Sequence, residues 1–174
     1  MAFNQFELGL LKDALEQMRE EGVQRRLCAF KELRKTPLNN EGWFEWELYY
    51  HLLKVDRGWK KEKKRRIGQK GCERPTGDGV DLQFSNNRFI ELRVATTEKT
   101  NMRWILKGLI DHVDANAVLF LALHHKNLKK WMEKHTINGN RIRYKYRDKV
   151  RDYEIKTEEV NKDWIVGLVK LLSK

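Results

Sequence analysis

The chain has 174 residues, with 36 Lys and Arg against 25 Asp and Glu, a formal charge of +11 and a hydrophobic fraction of 40%. That length and apolar content suit one ordinary domain with its own core and exclude intrinsic disorder. The longest apolar run, Ala117 to Leu123, is far short of the roughly 20 residues a membrane span needs, the N-terminus has no apolar signal stretch, and Cys28 and Cys72 make neither a disulfide framework nor a close metal-ligand pair, so a soluble, cytoplasmic protein with no membrane partner is expected.

In chain order, Asn4 is placed to cap an amphipathic helix over Gln5 to Glu20 that carries Phe6, Leu10, Leu11, Leu15 and Met18 at helical spacing. Gly22 interrupts it, and a second helix over about Val23 to Lys35 ends at Thr36-Pro37, because the residue before proline is steered out of the α region. Asn39 or Asn40 caps a third helix, Glu41 to about Asp56, with Phe44, Leu48, Leu52 and Val55 as its core stripe. A basic segment follows, with strand expected near Trp59 to Ile67, and then the loop Gly71 to Gly79. Val80, Leu82 and Phe84 alternate with polar residues as a half-buried strand does; Asn86-Asn87 suits a tight turn, and Arg88 to Ala95 is the return strand. Asn101 opens a helix with Met102, Ile105, Leu106, Leu109 and Val113 on one face. Ala117 to Leu123 reads as a strand covered on both sides. A short helix (Leu128 to Lys134), a basic hairpin (Arg141 to Lys156) and a C-terminal helix capped by Asn161 complete the chain. The expectation is a single α/β domain over residues 1–174, with 1–37 as a helical appendage, 41–123 as the core and 124–174 as a C-terminal extension.

The charge is concentrated. Arg57 to Arg74 holds nine basic residues against Glu62 and Glu73, a net of +7, and Arg141 to Arg151 holds six against Asp148, a net of +5. The rest of the chain sums to −1. Two basic segments on a nearly neutral globule point to a surface that tracks phosphate, with Lys60, Lys61, Lys63, Lys64, Arg65, Arg66, Arg141, Arg143, Lys145 and Arg147 as the contacts. Such contacts position a nucleic acid without reading its sequence.

Between the two segments lie Asp81 on one strand of the hairpin and Glu91 and Arg93 on the next. Strand parity puts Glu91 and Arg93 on one face and Ile90, Leu92 and Val94 on the other. Converging carboxylates beside a cation are what a hard divalent ion needs, since Mg²⁺ takes oxygen ligands and retains waters. His51 follows Glu47 by four residues without an evident third ligand, His124-His125 ends the apolar strand, and neither a P-loop nor a dinucleotide glycine fingerprint is present.

The order helix, strand, strand, strand, helix, strand over Glu41 to Leu123, with "GVDLQF", "FIELRVAT" and a glutamate-bearing first helix, resembles the PD-(D/E)xK nuclease superfamily, the fold of many restriction endonucleases. The resemblance implies a restriction-endonuclease-like αβββαβ core with a mixed sheet. It implies a divalent-metal-dependent endonuclease acting on DNA in preference to RNA, with Mg²⁺ or Mn²⁺ as cofactor. Asp81 and Glu91 take the places of the metal ligands, Glu45 that of the helical carboxylate, and Arg93 that of the lysine that orients or activates the attacking water. Arginine stays protonated, so Arg93 can stabilise developing charge but cannot act as a base; Lys107 on the following helix is a candidate substitute. The alternative is a catalytically inactive nuclease-fold protein that binds DNA or RNA. The N-terminal helical hairpin offers a surface for a homodimer.

Overall fold

The computed structural model of the chain describes residues 3–32, 40–54, 82–84, 88–95, 102–111, 117–123, 126–146 and 149–172. In chain order the elements are α1 (Gln5–Arg19), α2 (Glu21–Glu32), α3 (Asn40–Lys54), β1 (Leu82–Phe84), β2 (Arg88–Ala95), α4 (Met102–Asp111), β3 (Ala117–Leu123), α5 (Lys126–His135), β4 (Thr136–Asn138), β5 (Arg141–Tyr146), β6 (Lys149–Glu159) and β7 (Trp164–Leu171). The strands form one mixed sheet in the order β1-β2-β3-β7-β6-β5-β4, so the architecture is mixed α/β. The strand expected near Trp59 to Ile67 lies outside the described residues.

Helix α1 begins with a capping box. The Asn4 side chain accepts from the Glu7 backbone N–H at 2.9 Å, and Glu7 Oε2 accepts from the Asn4 backbone N–H at 2.9 Å. It ends at Arg19, with Glu20 in an extended conformation, so the break falls one residue before α2 and Gly22 lies inside α2. In sequence, residues 1–37 read as a helical appendage. Instead Leu10, Leu11, Ala14 and Met18 of α1 and Val23 and Leu27 of α2 are buried in one cluster with Phe44, Leu48 and Leu52 of α3 and with Ile90, Leu92 and Val94 of β2. A stripe that apolar must be covered, and the sheet is what covers it.

The opposite face of the sheet is covered by α4 and α5. Met102, Ile105, Leu106 and Leu109 of α4 and Leu128 of α5 pack with Val118, Phe120, Ala122, Ile142, Tyr153, Ile155 and Val169. Strand β3 is therefore buried at all seven positions, as its unbroken apolar sequence requires. β1 pairs antiparallel with β2, and β2 pairs parallel with β3 through the α4 crossover.

The C-terminal helix is not formed. Trp164 to Leu171 is β7, inserted antiparallel between β3 and β6. Asn161 does cap backbone N–H groups, as expected of it, but those of Asp163 (2.8 Å) and Trp164 (3.0 Å) in the β6–β7 turn. The same side-chain acceptor serves a helix start or an Asx turn. The segment is a short apolar run with the β-branched residues Ile165, Val166 and Val169, which a central strand buries on both faces. Gly167 faces Phe120 across the β3–β7 ladder, and a Cβ placed there meets the ring at 2.3 Å, so the glycine makes room for the ring. The basic hairpin is present as β5 and β6, preceded by a β4–β5 turn that holds Gly139 at φ 50°.

Candidate functional site

Alternation along β2 places its side chains as the sequence implies. Ile90, Leu92 and Val94 join the core beneath α1 and α3, and Glu91 and Arg93 share the other face, the one under α4, where their register partners are Val118 and Phe120 of β3. Glu91 is buried, its side chain 2% exposed, and its Oε1 lies 2.6 Å from Arg93 Nη1, whose side chain is 11% exposed. Arg93 Nη1 also donates to the Leu92 carbonyl at 3.1 Å. Its guanidinium lies 5.2 Å from the centre of the Trp104 ring on α4, a cation–π contact. Lys107 Nζ, one helical turn further along α4, is 5.5 Å from the same ring. Two cations thus converge on one half-exposed tryptophan beside a buried carboxylate.

The carboxylate that β2 supplies is a hard oxygen donor of the kind Mg²⁺ or Mn²⁺ takes. Its Oε1 is the oxygen that holds Arg93. Asp81, which directly precedes β1 in sequence, lies outside the described residues, as do Lys60, Lys61, Lys63, Lys64, Arg65, Arg66, Arg147 and His124-His125. The register of the hairpin pairs Leu82 with Ile90, the residue next to Glu91.

Other expected residues are not gathered at Glu91. Glu45 is on α3, which covers the Ile90, Leu92 and Val94 face, opposite Glu91. Its neighbour Glu47 is held by Gln17 Nε2 at 3.0 Å and by Arg26 at 2.5 Å. The basic hairpin is distant as well. Three strands separate β2 from β5, which at about 4.8 Å per step is roughly 19 Å. Ile142 of β5 packs under α5 on the Glu91 side, so Arg141, Arg143 and Lys145 alternate onto the opposite face. The Arg141 to Lys145 stripe therefore does not border Glu91. Arg143 is already engaged, with Nε 2.6 Å and Nη2 2.8 Å from the two carboxylate oxygens of Asp152. That hydrogen-bonded pairing raises the Arg143 pKa and lowers that of Asp152.

The structure also assembles a group the sequence did not announce. Asp13 and Glu16 of α1 and His51 of α3 bring one potential ligand atom each to within 4.8 Å of one another. Asp13 and Glu16 are three apart on a helix and His51 is 35 residues beyond Glu16. The pairing of α1 with α3 that joins them is a tertiary fact. The available signals were His51, whose sequence spacing points to Glu47 instead, and Asp13, a charged residue within the apolar stripe of α1 that is fully buried.

No family model, curated protein or solved structure matches the chain. Among the described residues no helix is long and apolar enough to cross a membrane.

Proposed function

We propose that the chain is a divalent-metal-dependent endonuclease with a restriction-endonuclease-like core, hydrolysing phosphodiester bonds of DNA. The observation that carries this reading is the unit α3, β1–β2 hairpin, α4, parallel β3, with a buried glutamate and a cation two residues apart on the middle strand. The reading requires Asp81 to face Glu91 across the hairpin, and the register Leu82 to Ile90 is the one this needs.

In this reading Glu91 and Asp81 hold Mg²⁺ or Mn²⁺, which when bound supplies Lewis acidity and activation of water. Arg93, fixed by Glu91, the Leu92 carbonyl and Trp104, presents a permanent positive charge toward the non-bridging phosphate oxygens. Lys107, which shares the Trp104 ring with Arg93, supports the idea that the lysine of this chemistry has moved to α4, where its flexible ammonium reaches what a fixed guanidinium cannot. Trp104 offers a base a stacking face beside the two cations.

The test is incubation with plasmid, branched and single-stranded DNA in Mn²⁺ or Mg²⁺. Cleavage that disappears in Asp81→Ala is expected, and cleavage no greater than that of Asp81→Ala refutes the proposal. A second reading, an inactive nuclease-fold protein that binds nucleic acid, is favoured by the tight Glu91–Arg93 pair. Its mark is binding that falls steeply with salt and is indifferent to divalent ions.

A further inference from the structure

We propose that Asp13, Glu16 and His51 form a binding site for a divalent transition ion of the Zn²⁺, Co²⁺ or Mn²⁺ type that pins α1 to α3. His51 Nε2 lies 4.0 Å from Asp13 Oδ1 and 3.8 Å from Glu16 Oε2. The His51 side chain is 9% exposed, and neither of its ring nitrogens has a hydrogen-bond partner among the described residues. Buried imidazole is ordinarily hydrogen-bonded, so a ring aimed at two carboxylates at these distances asks for something between them.

The spacing suits an ion. Bonds of about 2.0–2.2 Å set at the tetrahedral angle place ligand atoms ~3.4 Å apart. The separations to His51 exceed this by about half an ångström and the three ligand atoms lie within 4.8 Å of one another, so side-chain shifts of about 0.7 Å or less close the site. Asp13 is fully buried, and a carboxylate oxygen and an imidazole nitrogen are both donors that such an ion takes. Glu16 is 46% exposed, and besides His51 it meets Lys12 in a 3.7 Å surface contact, so it can swing inward, and its side of the site leaves room for solvent as a further ligand. One nitrogen and two oxygen donors select borderline ions over Mg²⁺ or Ca²⁺, which favour oxygen alone. The site joins the C-terminal half of α1 to the last turn of α3, so the ion would tie the N-terminal helices to the helix that covers the Ile90, Leu92 and Val94 face of β2.

The test is titration of chelator-stripped full-length protein with Co²⁺, read by visible d–d absorption, in wild type, Glu16→Ala, His51→Gln and Asp81→Ala. The intense band of a four-coordinate Co²⁺ site is expected to saturate at one equivalent with the same affinity in wild type and in Asp81→Ala, because Asp81 belongs to the all-oxygen site proposed for catalysis, whose Co²⁺ absorption is weak, and not to this one. Glu16→Ala, an exposed change that leaves the fold alone, is expected to weaken binding about 10-fold or more, and His51→Gln to abolish the band. Zn²⁺ displaces Co²⁺, and millimolar Mg²⁺ does not. At 100-fold excess over its dissociation constant, Zn²⁺ raises the melting midpoint of wild type by about 5–10 °C and that of His51→Gln not at all. Absence of a Co²⁺ band and of a Zn²⁺-dependent melting shift in wild type overturns the proposal, as do Glu16→Ala and His51→Gln titrating like wild type or a signal lost in Asp81→Ala.

Discussion

Removing one partner of the Glu91–Arg93 pair is the most informative perturbation of the β2 centre. The contact is 2.6 Å, and the side chains are 2% and 11% exposed, so solvent screens the pair little. With charge centres about 4 Å apart and an effective dielectric near 20, the attraction is about 4 kcal/mol. Glu91→Leu leaves a guanidinium in a sheet face under α4, against the Leu92 carbonyl and the Trp104 ring, without its carboxylate. Arg93→Met leaves a buried carboxylate. Each single change is expected to destabilise the protein by about 3–5 kcal/mol, the usual outcome of breaking a buried pair. The double variant Glu91→Leu/Arg93→Met, which removes both charges and keeps the volume, is expected within about 1–2 kcal/mol of wild type, because desolvation offsets much of the Coulomb gain. Equilibrium urea unfolding, followed by circular dichroism and tryptophan fluorescence, measures all four corners of the cycle. Single variants that each lose less than about 1 kcal/mol and add without coupling would show that the pair is not closed in solution, and the account of Arg93 as a fixed charge would fall with it.

Gly167→Ala is expected to destabilise by about 1–3 kcal/mol, since its Cβ would lie 2.3 Å from the Phe120 ring, and Phe120→Leu in the same chain is expected to recover part of the loss; thermal denaturation checks both. Asn161→Ala removes the acceptor for the Asp163 and Trp164 N–H groups and is expected to cost about 1–2 kcal/mol, with amide exchange accelerated first at the β6–β7 turn. Asp152 has its pKa lowered by the hydrogen bond from Arg143, so its contribution to stability is present above the ordinary carboxylate pKa and is lost as pH falls through the lowered value. Unfolding followed through acid pH is expected to show that dependence in wild type and a weaker one in Arg143→Ala. Asp152→Asn frees Arg143 from its bidentate partner and is expected to tighten salt-dependent DNA binding, and an unchanged affinity in a low-salt filter-binding assay would remove β5 from the phosphate surface.

Much of the fold is legible in local patterns. The stripe Phe44, Leu48 and Leu52, the alternation of Ile90 to Val94 and the unbroken run Ala117 to Leu123 each name an element type and a buried face, because the 3.6 and 2.0 residue periods are properties of the backbone itself. The pairing of Glu91 with Arg93 follows from the same parity. Trp164 to Leu171 shows where such patterns stop: an apolar run of eight residues suits a helix or a doubly covered strand, and the free edges of β3 and β6 decide it.

What the sequence determined by itself, then, is the type and buried face of the strongly periodic elements, together with the side chains that share a face within one element, while Trp164 to Leu171 stayed open between helix and strand. Which faces meet was decided only by the tertiary structure. The seven-stranded order carries the Arg141 to Lys145 stripe to the far part of the sheet and onto the face opposite Glu91, although the two lie on either side of one core in the chain. The packing of α1 on α3 brings Asp13 and Glu16 to His51. The physical reason is common to both: backbone periodicity acts over a few residues, whereas the position of one element against another is set by burying apolar area from the whole chain at once, and charged side chains are carried to wherever that burial leaves them.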